Sequence, residues 1–258
     1  MEYAGDLARI QQAASRTEGY AARRAATFQA TEPKLGEAIL DVGCGSGLFV
    51  RSLAEAVGSK GRACGVDLSE EQLAAARETC TGLSNVELQT GDAVALTVSA
   101  DSFDAVTSIH VIEYINEVER ALGEIFRVLK PGGRLVIFAT IWDALFWHSA
   151  EPARTKTILE AWNSHAPHPN LPASLRRLLT DAGFSGIHQA PVALLNCRYD
   201  DQAYSYWLAR LVAGFATGRG LVDKDEAAQW LEDLSVAESR NEYLFCSTAV
   251  VTRAEKAI

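Results

Sequence analysis

No basic tract offsets the acidic balance of this chain, whose 258 residues carry a formal net charge of −9. A surface that follows a phosphate backbone needs clustered lysine and arginine, so nucleic acid is not an expected partner. Cysteine is sparse and scattered. The five thiols, at positions 44, 64, 80, 197 and 246, form no C-x-x-C pair. Neither a zinc site nor a disulfide framework is expected, and no metal ligand is assigned. That usage fits a reduced, cytoplasmic protein. No apolar run reaches the length of a membrane span, and the polar, charged N-terminus does not read as a signal peptide. No internal repeat or low-complexity segment is present. What is there is a composition of 48% hydrophobic and 22% charged residues, ordinary for a globular domain that buries a substantial core.

The stretch around which the chain is organised is Ala38-Ile39-Leu40-Asp41-Val42-Gly43-Cys44-Gly45-Ser46-Gly47. An apolar run leads into three glycines at alternate positions, and Leu48 to Ala54 reads as the start of a helix. A buried strand, a tight turn and a helix N-terminus present backbone N–H groups to a nucleotide-like ligand. Glycine suits such a turn because it takes φ > 0 and because a Cβ would clash with a ligand lying flat on it. The spacing is G-x-G-x-G, whereas a dinucleotide fingerprint reads G-x-G-x-x-G. Asp41, two residues ahead of the first glycine, would repel a pyrophosphate and attract an ammonium group. S-adenosylmethionine carries an ammonium and a sulfonium and has no phosphate, so the charge favours it over NAD.

Arg62 to Ser69 reads as a second strand ending in an acid. Asp67 lies 20 residues beyond Gly47 (67 − 47), where open α/β folds place the carboxylate that takes the ribose hydroxyls. Ser69-Glu70-Glu71-Gln72 reads as a capping box, which leaves Asp67 for the ligand. Val86 to Thr90 is a third strand, followed by Gly91-Asp92-Ala93. An acid there can accept from an adenine amine, although the same residues also make an ordinary turn. Phe103 to Ser108 is a fourth strand, Val118 to Leu129 an amphipathic helix, Pro131-Gly132-Gly133 a turn, and Arg134 to Thr140 a fifth strand. Ile187 to Leu195 and Tyr243 to Thr252 read as an antiparallel edge pair. The alternation predicts an α/β, Rossmann-like sandwich with a mostly parallel seven-stranded sheet whose last strand is antiparallel.

Together, Ile39–Gly47, Val66–Ser69, Gly91–Ala93, Phe103–Ile115 and Arg127–Val136 resemble the successive motifs of class I S-adenosylmethionine-dependent methyltransferases. The similarity is closest to the small-molecule branch typified by ubiquinone and menaquinone C-methyltransferases, and it covers about Gly36 to Phe138. The resemblance implies that Gly43 and Gly45 hold the methionine part of S-adenosylmethionine, Asp67 the ribose and Asp92 the adenine. Asp41, Cys44, Gly47, Leu68, Gln72, Ala93 and Ile109 complete the candidate cofactor set. In this family N-terminal helices commonly close over the cofactor, which makes Tyr20 and Arg23 candidates for that edge. An amphipathic brace on the sheet is the other reading of those helices.

Residues 1–35 are expected to be N-terminal helices, broken near Thr17-Glu18-Gly19, and 36–197 the cofactor-binding core. Residues 198–241 read as a helical lid insertion of two helices around Thr217-Gly218-Arg219-Gly220, and 242–258 as the last strand. The candidate substrate residues are the aromatic segment Trp142, Phe146, Trp147 and His148, with Tyr204 and Trp207. They either wall an apolar pocket or hold helices to the sheet. Methyl transfer from a sulfonium is an in-line displacement, so the protein must mainly align the acceptor and exclude water. A base is needed only where the accepting atom must lose a proton. His110 and Tyr114, just beyond the fourth strand, are the catalytic candidates, with His110 as base, polar wall or packed histidine. Glu113 reads as facing the sheet edge or capping a turn.

The leading expectation is a methyltransferase acting on a small, partly apolar or aromatic metabolite and leaving S-adenosylhomocysteine. It would work as a monomer or homodimer, without membrane insertion. A cofactor-dependent cyclase or rearrangement enzyme, and a non-catalytic cofactor-binding protein, are the alternatives.

Overall fold

Successive residues of a strand face opposite sides of its sheet, and the central strand β1 (Ala38–Val42) uses both. Leu40 and Val42 pack with the apolar face of helix α5 (Val118–Val128), through Ala121, Leu122 and Ile125. Ile39 packs on the other side with Phe49, Val50 and Leu53 of α3 (Leu48–Val57). This double burial is why β1 reads as a nearly continuous apolar run. The computed structural model describes residues 6–257; residues 1–5, which belong to the expected N-terminal segment, lie outside the described residues, as does Ile258.

The chain forms two compact units. One is built from Arg24–Ala139 and Leu171–Pro191 with the end of the chain from Val250, the other from the chain up to Arg23 with Thr140–Asn170 and Val192–Ala249. In the first unit β1 pairs in parallel with β2 (Arg62–Asp67) and β4 (Phe103–Ile109), β2 with β3 (Val86–Thr90), and β4 with β5 (Leu129–Thr140). Parallel pairing puts the C-terminal ends of these strands on one edge, where an open α/β sheet binds ligands. Helix α4 (Glu70–Thr79) follows β2, and α7 (Leu171–Asp181) lies against the α5 side of the sheet. Strand β7 (Phe184–Asn196) pairs with β8 (Phe245–Lys256). Ser185 Oγ donates to the Glu255 carbonyl, and Gln189 Nε2 to Thr252 Oγ1. Numbers rise on one strand as they fall on the other, so the pair is antiparallel, as expected.

One local expectation is corrected. Pro131-Gly132-Gly133, expected as a turn leading into the fifth strand, lies within β5. The β4–β5 register shifts between Phe103 and Ala105, and Gly132 takes φ 76, so the glycines make an irregularity in a continuous strand. Arg134, just beyond it, anchors the entry to β1. Its guanidinium donates to both Glu37 oxygens at 2.9 and 2.7 Å and to the carbonyls of Thr31 and Glu32.

The second unit contains α1 (Asp6–Ser15), the start of α2 (Glu18–Thr31), the two-residue strand β6 (Phe146–Trp147), α6 (Pro152–Trp162), α8 (Tyr204–Gly218) and α9 (Lys224–Ser239). β6 pairs antiparallel with the first residues of β8 and makes eight strands among the described residues, where seven were expected. The core of this unit is aromatic. Trp162 and Trp230 are fully buried, Trp230 Nε1 donates to Thr155 Oγ1 at 3.1 Å, and Trp147 Nε1 donates to Tyr243 Oη at 2.9 Å. Helices α8 and α9, the segment read as an insertion, share this core with α6, whose residues carry little helical signal. Among the described residues no helix is long and apolar enough to cross a membrane.

Candidate active site

The glycine turn closes on β2. Gly43 N–H and Cys44 N–H both donate to the Val66 carbonyl, at 2.7 and 3.0 Å, and Gly47 N–H returns to the Cys44 carbonyl. All three glycines take positive φ, at 75, 50 and 77°, which only glycine adopts without strain. Their missing Cβ atoms have different uses. At Gly43 a Cβ would meet Val111 Cγ2 at 2.1 Å, and at Gly47 it would meet Ala76 at 2.9 Å. Those two positions are therefore closed by the protein itself rather than by a ligand. Gly45 is different: its Cβ would meet only Gln72 Oε1, at 3.9 Å. A space beside bare backbone is left there, of the kind a ligand lying on the turn requires.

Asp67 ends β2 and ties this turn to the next one. Its Oδ2 accepts from Gly45 N–H at 2.8 Å and its Oδ1 from Ser69 N–H at 2.9 Å. Ser69 caps α4 as expected, accepting from Gln72 N–H at 3.3 Å. The cap does not leave Asp67 idle, however, because each oxygen already holds one backbone N–H and retains one further lone pair. Leu68 beside it is a large apolar residue left 70% exposed. At the end of β3, Asp92 is exposed and its Oδ1 accepts from Val94 N–H, closing its own turn, while Ala93 is buried. The open groove of about 520 Å³ lined by Val94, Ala95, Leu96, Arg120, Gly123 and Glu124 holds none of the candidate site residues.

Asp41 is buried at the end of β1 and accepts from Thr107 Oγ1 of β4 at 2.7 Å. Burial pushes its carboxyl up from 3.8 to about 7, against the Thr107 hydrogen bond, and the charge of Asp67 raises it further. A carboxyl raised in the folded state stabilises the fold fully below its unfolded value, and that contribution is lost as pH rises to the folded value. Asp41→Asn should therefore gain stability over the ligand-free parent as pH rises from about 4 to about 7, the gap levelling off above that. Urea titrations across this range check the sign; a gap independent of pH would mean that Asp41 is already ionised. Burial, then Asp41 and Asp67, also push the Cys44 thiol well above its usual range, so it remains a thiol.

At the end of β4 Ile109 is half-buried, and His110, just beyond it, takes φ 56. His110 N–H donates to the Phe138 carbonyl at 3.0 Å, and its ring meets Phe138 edge-on at 5.1 Å. A 3₁₀ turn, Ile112–Tyr114, follows and leaves Tyr114 half-buried. Glu113 corrects the sequence reading. It neither faces the sheet edge nor caps a turn, but is fully buried with its Oε1 3.0 Å from His110 Nδ1. Glu113 and Thr107 are the site residues that sequence reasoning missed. The first had a signal in its H-x-x-E spacing; the second had none.

In the second unit Trp142, Trp147 and Tyr204 come together in the buried core, whereas Phe146 and His148 are exposed and Trp207 is half-buried. Tyr20 packs edge-on against Tyr204 at 5.5 Å, and the buried Arg23 guanidinium lies 3.9 Å from the Tyr204 ring centroid. Among the described residues no group of three or more His, Cys, Asp or Glu side chains is placed to hold a metal ion.

Comparison with known proteins identifies the family. A methyltransferase domain model matches residues 40–137. Aklanonic acid methyltransferase DauC from Streptomyces sp. strain C5 is 32% identical over 149 residues, covering 57% of this chain and 68% of that protein. Demethylmenaquinone methyltransferase from Staphylococcus epidermidis is 41% identical over 105 residues, covering 41% of this chain and 44% of that one. The crystal structure of YcgJ from Bacillus subtilis superposes with a TM-score of 0.63 at 19% identity, covering 92% of this chain and 98% of its own. The chain belongs to the class I S-adenosylmethionine-dependent methyltransferases and resembles the quinone methyltransferases among them. Its cofactor is accordingly S-adenosylmethionine, the methyl donor that defines the family. The chain spans about half the length of the curated relatives it matches, DauC excepted.

Proposed function

We propose that the protein is an enzyme that moves a methyl group from S-adenosylmethionine to a small, partly apolar or aromatic metabolite. The observation that carries this reading is Gly45, whose backbone faces open space while its N–H fixes Asp67. A ligand seated there lies close to the carboxylates of Asp41 and Asp67, which suit an ammonium and sulfonium ligand and oppose a pyrophosphate. On this reading Cys44 and Gly45 form the seat for the methionine portion, on a turn whose shape Gly43 and Gly47 make possible. Asp67, Leu68 and Gln72 take the ribose edge, Asp92 and Ala93 the adenine, and Ile109 completes the set. Asp67→Ala is then expected to weaken S-adenosylhomocysteine binding by about 1–3 kcal/mol, the scale for losing hydrogen bonds to a charged group. Calorimetry reads this directly, and unchanged affinity would remove Asp67 from the ribose site.

When bound, S-adenosylmethionine supplies a methyl group on positively charged sulfur, already activated for displacement. The chain's own task is to hold the acceptor in line and keep water away. Where the accepting atom carries a proton, His110 takes it, and Tyr114 orients the acceptor beside it. Acceptor recognition falls to Phe146, His148 and Trp207, with the buried Trp142, Trp147 and Tyr204 holding those segments in place. The relatives named for demethylmenaquinone and aklanonic acid support a small-molecule acceptor.

The test is to incubate the protein with S-adenosylmethionine labelled in its methyl group, together with a metabolite extract or defined quinone and polyketide acceptors. The expected result is label in a small-molecule product, matched by S-adenosylhomocysteine. Binding of the cofactor with all label retained on it would instead favour a cyclase or a non-catalytic binding protein.

A further inference from the structure

Between β4 and the 3₁₀ turn Ile112–Tyr114 the chain passes through His110 in a left-handed conformation, φ 56, and this path brings the carboxylate of Glu113 against the His110 ring rather than out into solvent. The Glu113 side chain is 0% exposed and that of His110 9%. Glu113 Oε1 is 3.0 Å from Nδ1, and Oε2 has no hydrogen-bond partner among the described residues. A buried carboxylate with one of its oxygens unsatisfied costs stability, so packing alone does not account for it.

The backbone fixes the pair from both sides. His110 is held in a left-handed conformation with its N–H on Phe138. Val111, the next residue, fills the space left by the missing Cβ of Gly43. Ile112 is buried in the core of the sheet. The imidazole is therefore set rigidly beside the glycine turn, with one ring nitrogen committed to a carboxylate.

We infer that Glu113 is a positioning residue that keeps the proton of neutral His110 on Nδ1, so that Nε2 carries the basic lone pair. A carboxylate only accepts hydrogen bonds, so its imidazole partner must present N–H to it. The inference rests on the reading of His110 as the base. In the step it serves, the acceptor's proton passes to Nε2 as the bond from acceptor to methyl carbon forms. The carbon–sulfur bond breaks with its electron pair going to sulfur, which leaves S-adenosylhomocysteine, methylated acceptor and an imidazolium beside Glu113. That imidazolium then releases its proton to solvent. Were Glu113 itself protonated, it would donate to Nδ1, Nε2 would carry the hydrogen, and His110 could not act as base.

The two arrangements differ in tautomer, which long-range proton–nitrogen NMR reads on ¹⁵N-histidine protein without any acceptor. His110→Gln identifies the His110 signals. In the parent protein, in a range where the ring is neutral, Nδ1 is expected to be the protonated nitrogen. In Glu113→Ala, with S-adenosylhomocysteine binding retained to show an intact fold, the proton should shift wholly or partly to Nε2. A parent protein with the proton on Nε2 overturns the inference, and that measurement stands even if the alanine variant does not fold. An unaltered tautomer in a folded Glu113→Ala overturns it equally. Failure of methyl transfer with the expected tautomer present would instead count against the proposed function alone.

Discussion

Replacing Gly43 with alanine should cost the protein about 2–5 kcal/mol of folding stability. Two terms add. A non-glycine residue in the left-handed region costs about 1–2 kcal/mol, and Gly43 has φ 75. Overpacking a filled site costs about 1–3 kcal/mol more, and the new methyl would sit 2.1 Å from Val111 Cγ2 and 2.9 Å from Cγ1. Gly82→Ala isolates the first term, because Gly82 has φ 87 and nothing within 4 Å of a Cβ. Val111→Ala combined with Gly43→Ala should recover only part of the loss, since the Val111 Cβ itself lies at 3.0 Å. Urea denaturation of the four proteins measures each term. A Gly43→Ala loss no larger than that of Gly82→Ala would show that Val111 yields without cost. Because Val111 follows His110, the same clash should also displace the base.

The second large effect is on catalysis. With an acceptor whose accepting atom carries a proton, His110→Ala should lower kcat by roughly 10²–10⁴-fold, the usual contribution of a general base. S-adenosylhomocysteine affinity should be unchanged, because on the proposed reading the ring serves the proton path and not the cofactor seat. Steady-state kinetics at saturating acceptor separates the two quantities. An undiminished kcat would show that alignment of the acceptor suffices and that His110 is only part of the wall.

Much of this site was legible because its signals are local. The strand-turn-helix at Ala38–Val57 shows in the apolar run and alternate glycines, and the acids at the ends of β1, β2 and β3 announce a ligand edge. What was misread depends on partners distant in sequence. Gly43 was expected to make room for a ligand, but the side chain it admits is Val111, brought there by the loop after β4. The acid at Asp41 could be read directly, whereas its burial and its hydrogen bond from Thr107 exist only because β1 and β4 are neighbours in the sheet. Glu113 had the right spacing from His110. It was misassigned because composition does not distinguish a 3₁₀ turn from a loop. Helix α6 escaped notice because its buried residues are only Thr155, Ile158 and Trp162, too few for a clear apolar stripe. The pairs of large apolar residues along α8 and α9 marked those helices plainly.

The most direct test of the account is titration calorimetry of the parent protein and Gly45→Ala with S-adenosylhomocysteine and with NAD. The parent is expected to bind S-adenosylhomocysteine and not NAD. In Gly45→Ala a methyl group occupies the one open position of the turn, so binding should weaken while stability falls no more than in Gly82→Ala. Tighter binding of NAD than of S-adenosylhomocysteine, or undiminished S-adenosylhomocysteine binding in Gly45→Ala, would contradict the placement of the cofactor on the turn.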